Sequence, residues 1–179
     1  MLQARKIEYL QRFQAEQVEW EEHNFGKQEY HRPLKGVAEE IGEYISALYG
    51  ESPWSESSFR DAFGDACVFL SSLCSKLDIS LPLCFLEPPM EGQNITEVLH
   101  LFSFGYGKVC HALLKREQKI RTSEQHSQEI LDGLRCIALS LVNLADRYGL
   151  DLIDDCIMPT WQEVKQRDWV LYPVNGMTA

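Results

Sequence analysis

Two short acidic blocks set at helical spacing constrain this chain more than any other feature. Val37-Ala38-Glu39-Glu40-Ile41-Gly42-Glu43-Tyr44 is answered downstream by Asp61-Ala62-Phe63-Gly64-Asp65. Residues three or four apart share a helix face. Glu40 and Glu43, or Glu39 and Glu43, therefore project side by side from one helix, and Asp61 and Asp65 from the next. Val37, Ile41, Phe63 and Cys67 sit among them and should face the core, so the acids border the interior. Carboxylates crowded on two facing helices repel one another unless cations lie between them. Carboxylate oxygen is the donor for a hard cation such as Mg²⁺, with Mn²⁺ as a substitute. The competing reading is a plain solvated acidic face. Gly42 and Gly64 favour a site: a glycine inside a helix costs about 1 kcal/mol against alanine, which calls for close packing or access.

Charge and cysteine usage narrow the function classes. A net charge of −10 on 179 residues and a pI near 4.9 argue against a general nucleic-acid binder, which needs a basic footprint. A polyanionic small molecule remains compatible where metal ions neutralise it. The six cysteines form no CxxC pair, which points to free thiols in a reducing, cytoplasmic setting. Charge interrupts Met1 to Phe13, so no signal peptide is expected, and no apolar run approaches membrane-spanning length. Asn94-Ile95-Thr96 matches a glycosylation sequon that such a chain would not use.

In chain order, Ile7, Leu10, Phe13 (or Gln14), Gln17-Val18 and Trp20 predict an amphipathic helix over 3–23. Glu21 to Gly26 ends it, and a loop containing Pro33 leads to an acidic helix over 35–49. Trp20, His23 and Phe25 stand near the entrance to the acids, as core aromatics or as stacking partners for a base. A polar loop follows, whose serines offer an N-cap. The next helix, 57–78, buries Phe63, Ala66, Cys67, Leu70, Leu73 and Leu77. Pro82, Pro88, Pro89 and Gly92 break the chain over 81–94. Further helices are expected at 95–118, 128–148 and 160–168, the last capped by Thr160.

The pattern then repeats. Gly107-Lys108-Val109-Cys110-His111-Ala112-Leu113 aligns with Gly42 to Leu48, and Asp132 to Cys136 aligns with Asp61 to Asp65. Phe104, Gly105, Lys108 and Cys136 stand where the first copy has Glu39, Glu40, Glu43 and Asp65, so the acidic chemistry is absent from the second copy. The expected organisation is an all-α bundle forming an intramolecular pseudo-dimer. Residues 1–81 carry the N-terminal helix and the acidic repeat, 82–94 a linker, 95–169 the degenerate repeat and 170–179 a tail.

The Glu39-Glu40-x-x-Glu43 block followed by Asp61 and Asp65 resembles the EExxE…ExxD signature of the all-α, MazG-like nucleoside triphosphate pyrophosphohydrolases. Trp20, Asn24-Phe25, Pro33 to Val37 and Trp161 to Trp169 agree with it, as does Ala112 to Arg121 in the second half. The resemblance covers about residues 13–169. It implies a helical bundle that hydrolyses a nucleoside triphosphate to monophosphate and pyrophosphate with Mg²⁺, as nucleotide-pool housecleaning, without nucleic-acid or membrane partners. Glu40, Glu43 and Asp65 match the metal-ligand positions, with Glu39 or Asp61 as the activating carboxylate. Ala62 departs from the signature by occupying the place of the Glu in ExxD, which leaves the number of metal ions open.

Trp20, Phe25, Lys35, Lys165 and Arg167 are candidate substrate contacts. Lys108, the counterpart of Glu43, is a candidate for the far wall of the pocket. The rival function is a MazG-like protein that binds nucleotide, or serves as a scaffold, without turnover. A di-iron bundle would need two Glu-x-x-His pairs and has only Glu97 to His100. Nucleophilic triads and Gly-rich phosphate loops have no local signature here. The preferred base and self-association beyond the internal pair are left open by the sequence.

Overall fold

The computed structural model describes residues 4–49 and 55–177. Among them are six α-helices and no strand: α1 (Ala4–Phe25), α2 (His31–Tyr49), α3 (Glu56–Lys76), α4 (Ile95–Glu117), α5 (Ser123–Arg147) and α6 (Met158–Val164). A 3₁₀ turn, Leu81–Cys84, follows α3, and a wide π turn, Leu152–Ile157, runs directly into α6. No helix among the described residues is long and apolar enough to cross a membrane.

Each boundary has a local cause. α1 stops at Gly26, whose φ of 65° suits a residue without Cβ, and Gly26 N donates to Glu22 O at 3.0 Å. Ser55 caps α3 by accepting from Ser58 N, while the rest of the polar loop, 50–54, lies outside the described residues. Asn94 and Glu97 form a reciprocal capping box on α4, and Thr122 and Gln125 form another on α5. The sequon asparagine thus has a structural task, and so does Glu97 of the lone Glu-x-x-His pair.

α2 and α3 pack as one antiparallel hairpin, α4 and α5 as another. Glycine sets the closeness of both. A Cβ on Gly36 would lie 2.4 Å from the Phe69 ring. A Cβ on Gly105 would meet Cys136 Cβ at 2.6 Å and Gly133 O at 2.7 Å, and one on Gly133 would meet Gly105 O at 2.7 Å. Tyr44, Phe59, Phe63 and Tyr148 form an aromatic cluster linking α2, α3 and α5, with Phe59 stacked on Tyr148 at 4.1 Å. α1 lies across these elements, with Phe13 edge-on to Trp161 at 5.3 Å. Full burial of each such ring contributes on the order of 2–3 kcal/mol.

Several expectations need correction. Pro33 lies inside α2, because proline lacks only an N–H that the first helical turn leaves unbonded anyway. α5 begins at Ser123, five residues before the expected 128, because the Thr122 box starts it. Thr160 is no cap: it lies within α6, 94 % buried, against Gly64. The cap of that region is Asp151, which accepts from Ile153 N and Asp154 N. The proline-rich stretch begins as packed core, since Leu81, Pro82, Cys84 and Phe85 are buried. Gln14 of α1 clamps it, donating to Ile79 O and accepting from Leu81 N, both at 2.8 Å.

Gly42, expected to mark close packing, has open space around a Cβ, as does Gly107. Only Gly64 fits that reading, with Thr160 Oγ1 2.0 Å from its would-be Cβ. Gly107→Ala is therefore expected to stabilise the protein by about 0.5–1 kcal/mol, read as a higher urea midpoint at constant slope.

Candidate functional site

A cavity of about 300 Å³ lies between α1, the α2–α3 hairpin and the segment after α6. Glu40 of α2 and Asp65 of α3 both line it. The helical periods of the two acidic blocks bring these carboxylates to one place. Glu39, Glu43 and Asp61 are exposed and do not line the cavity, though all three act on Glu40 through their charges. Ala62 is 94 % buried in the core. A carboxylate at that position would point inward, whereas Asp61, one residue earlier, is exposed a full turn from Asp65.

Electrostatics marks the acids as an uncompensated group. Burial pushes the Glu40 carboxyl up to about 8, aided by the negative charges of Asp65, Glu43, Glu39 and Asp61. Asp65 is pushed to about 6 by burial and then by Asp61, against which Arg167 acts as a partial counter-charge. Asp61 is raised by burial and by Glu163, again with Arg167 opposing. Hard oxygen donors that disfavour their own ionised form suit a divalent cation in chemistry. Among the described residues no three Asp, Glu, His or Cys side chains are gathered so as to hold a metal ion.

Aromatic side chains line the cavity as well. Trp20 and Phe25 line it at 5.5 Å from one another, edge to face, together with Phe69 and Trp169. This wall is tied to the chain's distant end. Trp20 Nε1 donates to Arg167 O at 2.9 Å, and Trp169 N donates to Asn24 Oδ1 at 2.6 Å. Asp168 N donates to Gly176 O at 2.7 Å, so the expected tail folds back as a bonded turn. Arg167 lines the cavity with its guanidinium 3.0 Å from Glu163.

The other proposed cations lie elsewhere. Lys35 is exposed and does not line the cavity. Lys165 sits 3.7 Å from Glu16. Lys108 pairs with Asp132 at 3.4 Å and lies over the Phe104 ring. Neither of these two lines the cavity.

Sequence reasoning passed over Arg32, Gln28, Gln17, Glu21 and Ser72, all of which line it. Gln17 and Glu21 carried one usable signal: they lie a turn apart on the same side of α1 as the core residues Leu10 and Phe13. Comparison of the chain with protein-family models, with curated proteins and with solved structures finds no match.

Proposed function

We propose that the protein is a Mg²⁺-dependent nucleoside triphosphate pyrophosphohydrolase of MazG-like type. One observation carries the reading: Glu40 and Asp65 line the same cavity as Trp20, Phe25 and Arg167. Carboxylates and aromatic side chains lining one cavity match a ligand with a polyphosphate and a flat base. Mg²⁺ would be held by Glu40 and Asp65, which line the cavity, and by Glu43, which lies outside it, and would neutralise charge at the phosphate oxygens. Arg167, already opposing the charges of Asp65 and Asp61, contacts phosphate. Asp61 or Glu39 accepts the proton of the attacking water. The bond between the α and β phosphates breaks, and pyrophosphate leaves from the monophosphate.

The helix pairs support a duplicated origin. In the repeat alignment Gly105 and Cys136 replace Glu40 and Asp65, and these two lie against each other in the second hairpin. Lys108 and Asp132, counterparts of Glu43 and Asp61, form an ion pair there. In the repeat alignment a glycine crossing stands in the second hairpin where the first carries its acids.

A screen of pyrophosphate release over canonical and modified nucleoside triphosphates with Mg²⁺ tests the activity. A measurable turnover lost on chelation is expected. The second reading is a nucleotide sensor or scaffold, favoured by the absence of a gathered ligand set among the described residues. Tight nucleotide binding without turnover would select it.

A further inference from the structure

One polar corner of the cavity is built from hydrogen-bond acceptors. Gln17, 2 % exposed, and Glu21, 5 % exposed, line it from α1, with Ser72 of α3 beside them. Gln17 Nε2 donates to Glu21 Oε2 at 2.8 Å, and Ser72 Oγ donates to the same oxygen at 2.5 Å. Lys76 Nζ stands 2.8 Å from Glu21 Oε1 as an ion pair, but is not aligned as a hydrogen bond.

These contacts fix which way the Gln17 amide points. Turned over, its carbonyl oxygen would face a carboxylate, so the amino group must be the one toward Glu21. Gln17 Oε1 is left a buried acceptor without a partner. The single Ser72 hydrogen is already given to Glu21, which leaves that oxygen only its lone pairs. Glu21 Oε1 already faces the Lys76 ammonium at 2.8 Å. Gln17 Oε1 is therefore the buried acceptor of this corner that no donor among the described residues reaches.

We propose that this corner selects nucleobases bearing an exocyclic amino group over those with a carbonyl in the same place. The inference rests on the nucleotide reading above and names the substrate class of that site. An amino group brings an N–H donor to Gln17 Oε1. A carbonyl at that position sets oxygen against oxygen and leaves the Gln17 acceptor unpaired. Sites built around such a hydrogen bond discriminate strongly, because the wrong ligand strands buried polar groups. Trp20 or Phe25 offers an aromatic face to the base and so adds affinity without choosing between bases.

Two substrate pairs isolate the group in question: dCTP against dUTP, and dATP against dITP. Wild-type kcat/KM with Mg²⁺ is expected to favour the amino member of each pair by about tenfold or more. Gln17→Leu is expected to draw both ratios toward one. Equal kcat/KM within both wild-type pairs overturns the inference while leaving the hydrolase reading intact. If no triphosphate is hydrolysed, the hydrolase reading fails, and calorimetric binding of dCMP against dUMP decides the selectivity. Tighter dCMP upholds the acceptor corner, whereas equal binding or none overturns it.

Discussion

Glu40→Gln is expected to lower pyrophosphate release by about a hundredfold or more while making the protein harder to melt. The activity loss follows from removing the one ligand candidate that is both half-buried and coupled to all four other acids. The stability gain has the opposite sign from that of an ordinary salt-bridged acid. Glu40 has its carboxyl raised from 4.5 to about 8 in the folded chain. Between those values the native state holds a proton that the unfolded state has lost, so this group's contribution is most favourable below about pH 4.5 and declines as pH rises to 8. Asp65 acts in the same direction between 3.8 and about 6.

After discounting for solvent screening at a half-buried carboxyl, the penalty removed by Gln at pH 8 is about 2 kcal/mol. That corresponds to a melting temperature raised by about 6 °C. Melting curves of both proteins from pH 5 to pH 8, without added divalent ion, measure it. The gap should widen with pH and level off near 8. A gap independent of pH would mean that Glu40 ionises freely and that the acids do not converge.

The second large effect concerns the hairpin without acids. Gly105→Val is expected to destabilise the protein by about 3 kcal/mol, with Gly133→Val comparable. Even a Cβ at Gly105 meets backbone, Gly133 O at 2.7 Å and Ile137 N at 3.1 Å, so no side-chain rotation relieves it. The α4–α5 crossing would have to open. Urea unfolding of Gly105→Val beside Gly107→Ala, two residues along the same helix, gives an internal control: the first midpoint should fall and the second rise. If both rose, the helices would not cross at these glycines.

The acidic helices were legible in the sequence because their chemistry repeats with the helix itself. Glu40 and Asp65 had to meet once both segments were helical and their apolar faces shared a core. Trp20 and Phe25 were reached through their place near the entrance to that face, Arg167 only as one of several cations, and all three line the cavity. Three lysines were not distinguishable from useful cations, because sequence spacing says nothing about which carboxylate a long side chain finds first. Lys165 is beside Glu16 and Lys108 beside Asp132.

Gln17 and Glu21 were hidden for a different reason. Gln17 stood in the helix's recurring stripe with no chemistry assigned and Glu21 at its end, yet both are buried, Gln17 donating to Glu21, and Glu21 is met by Ser72 and Lys76 from fifty and more positions away. The Thr160 error has a local cause as well. Met158-Pro159-Thr160 looks like a helix start, but the π turn beginning at Asp151 had already wound the chain.

The aromatic wall joins positions 20 and 24 to 167 and 169, and this orders events during synthesis. A nascent chain that has released only the first hairpin presents the acids with no enclosed space beside them. The cavity is complete only when the distal segment packs back onto the first helix. Cleavage between α6 and Arg167 would return the molecule to that unfinished condition without touching a single carboxylate.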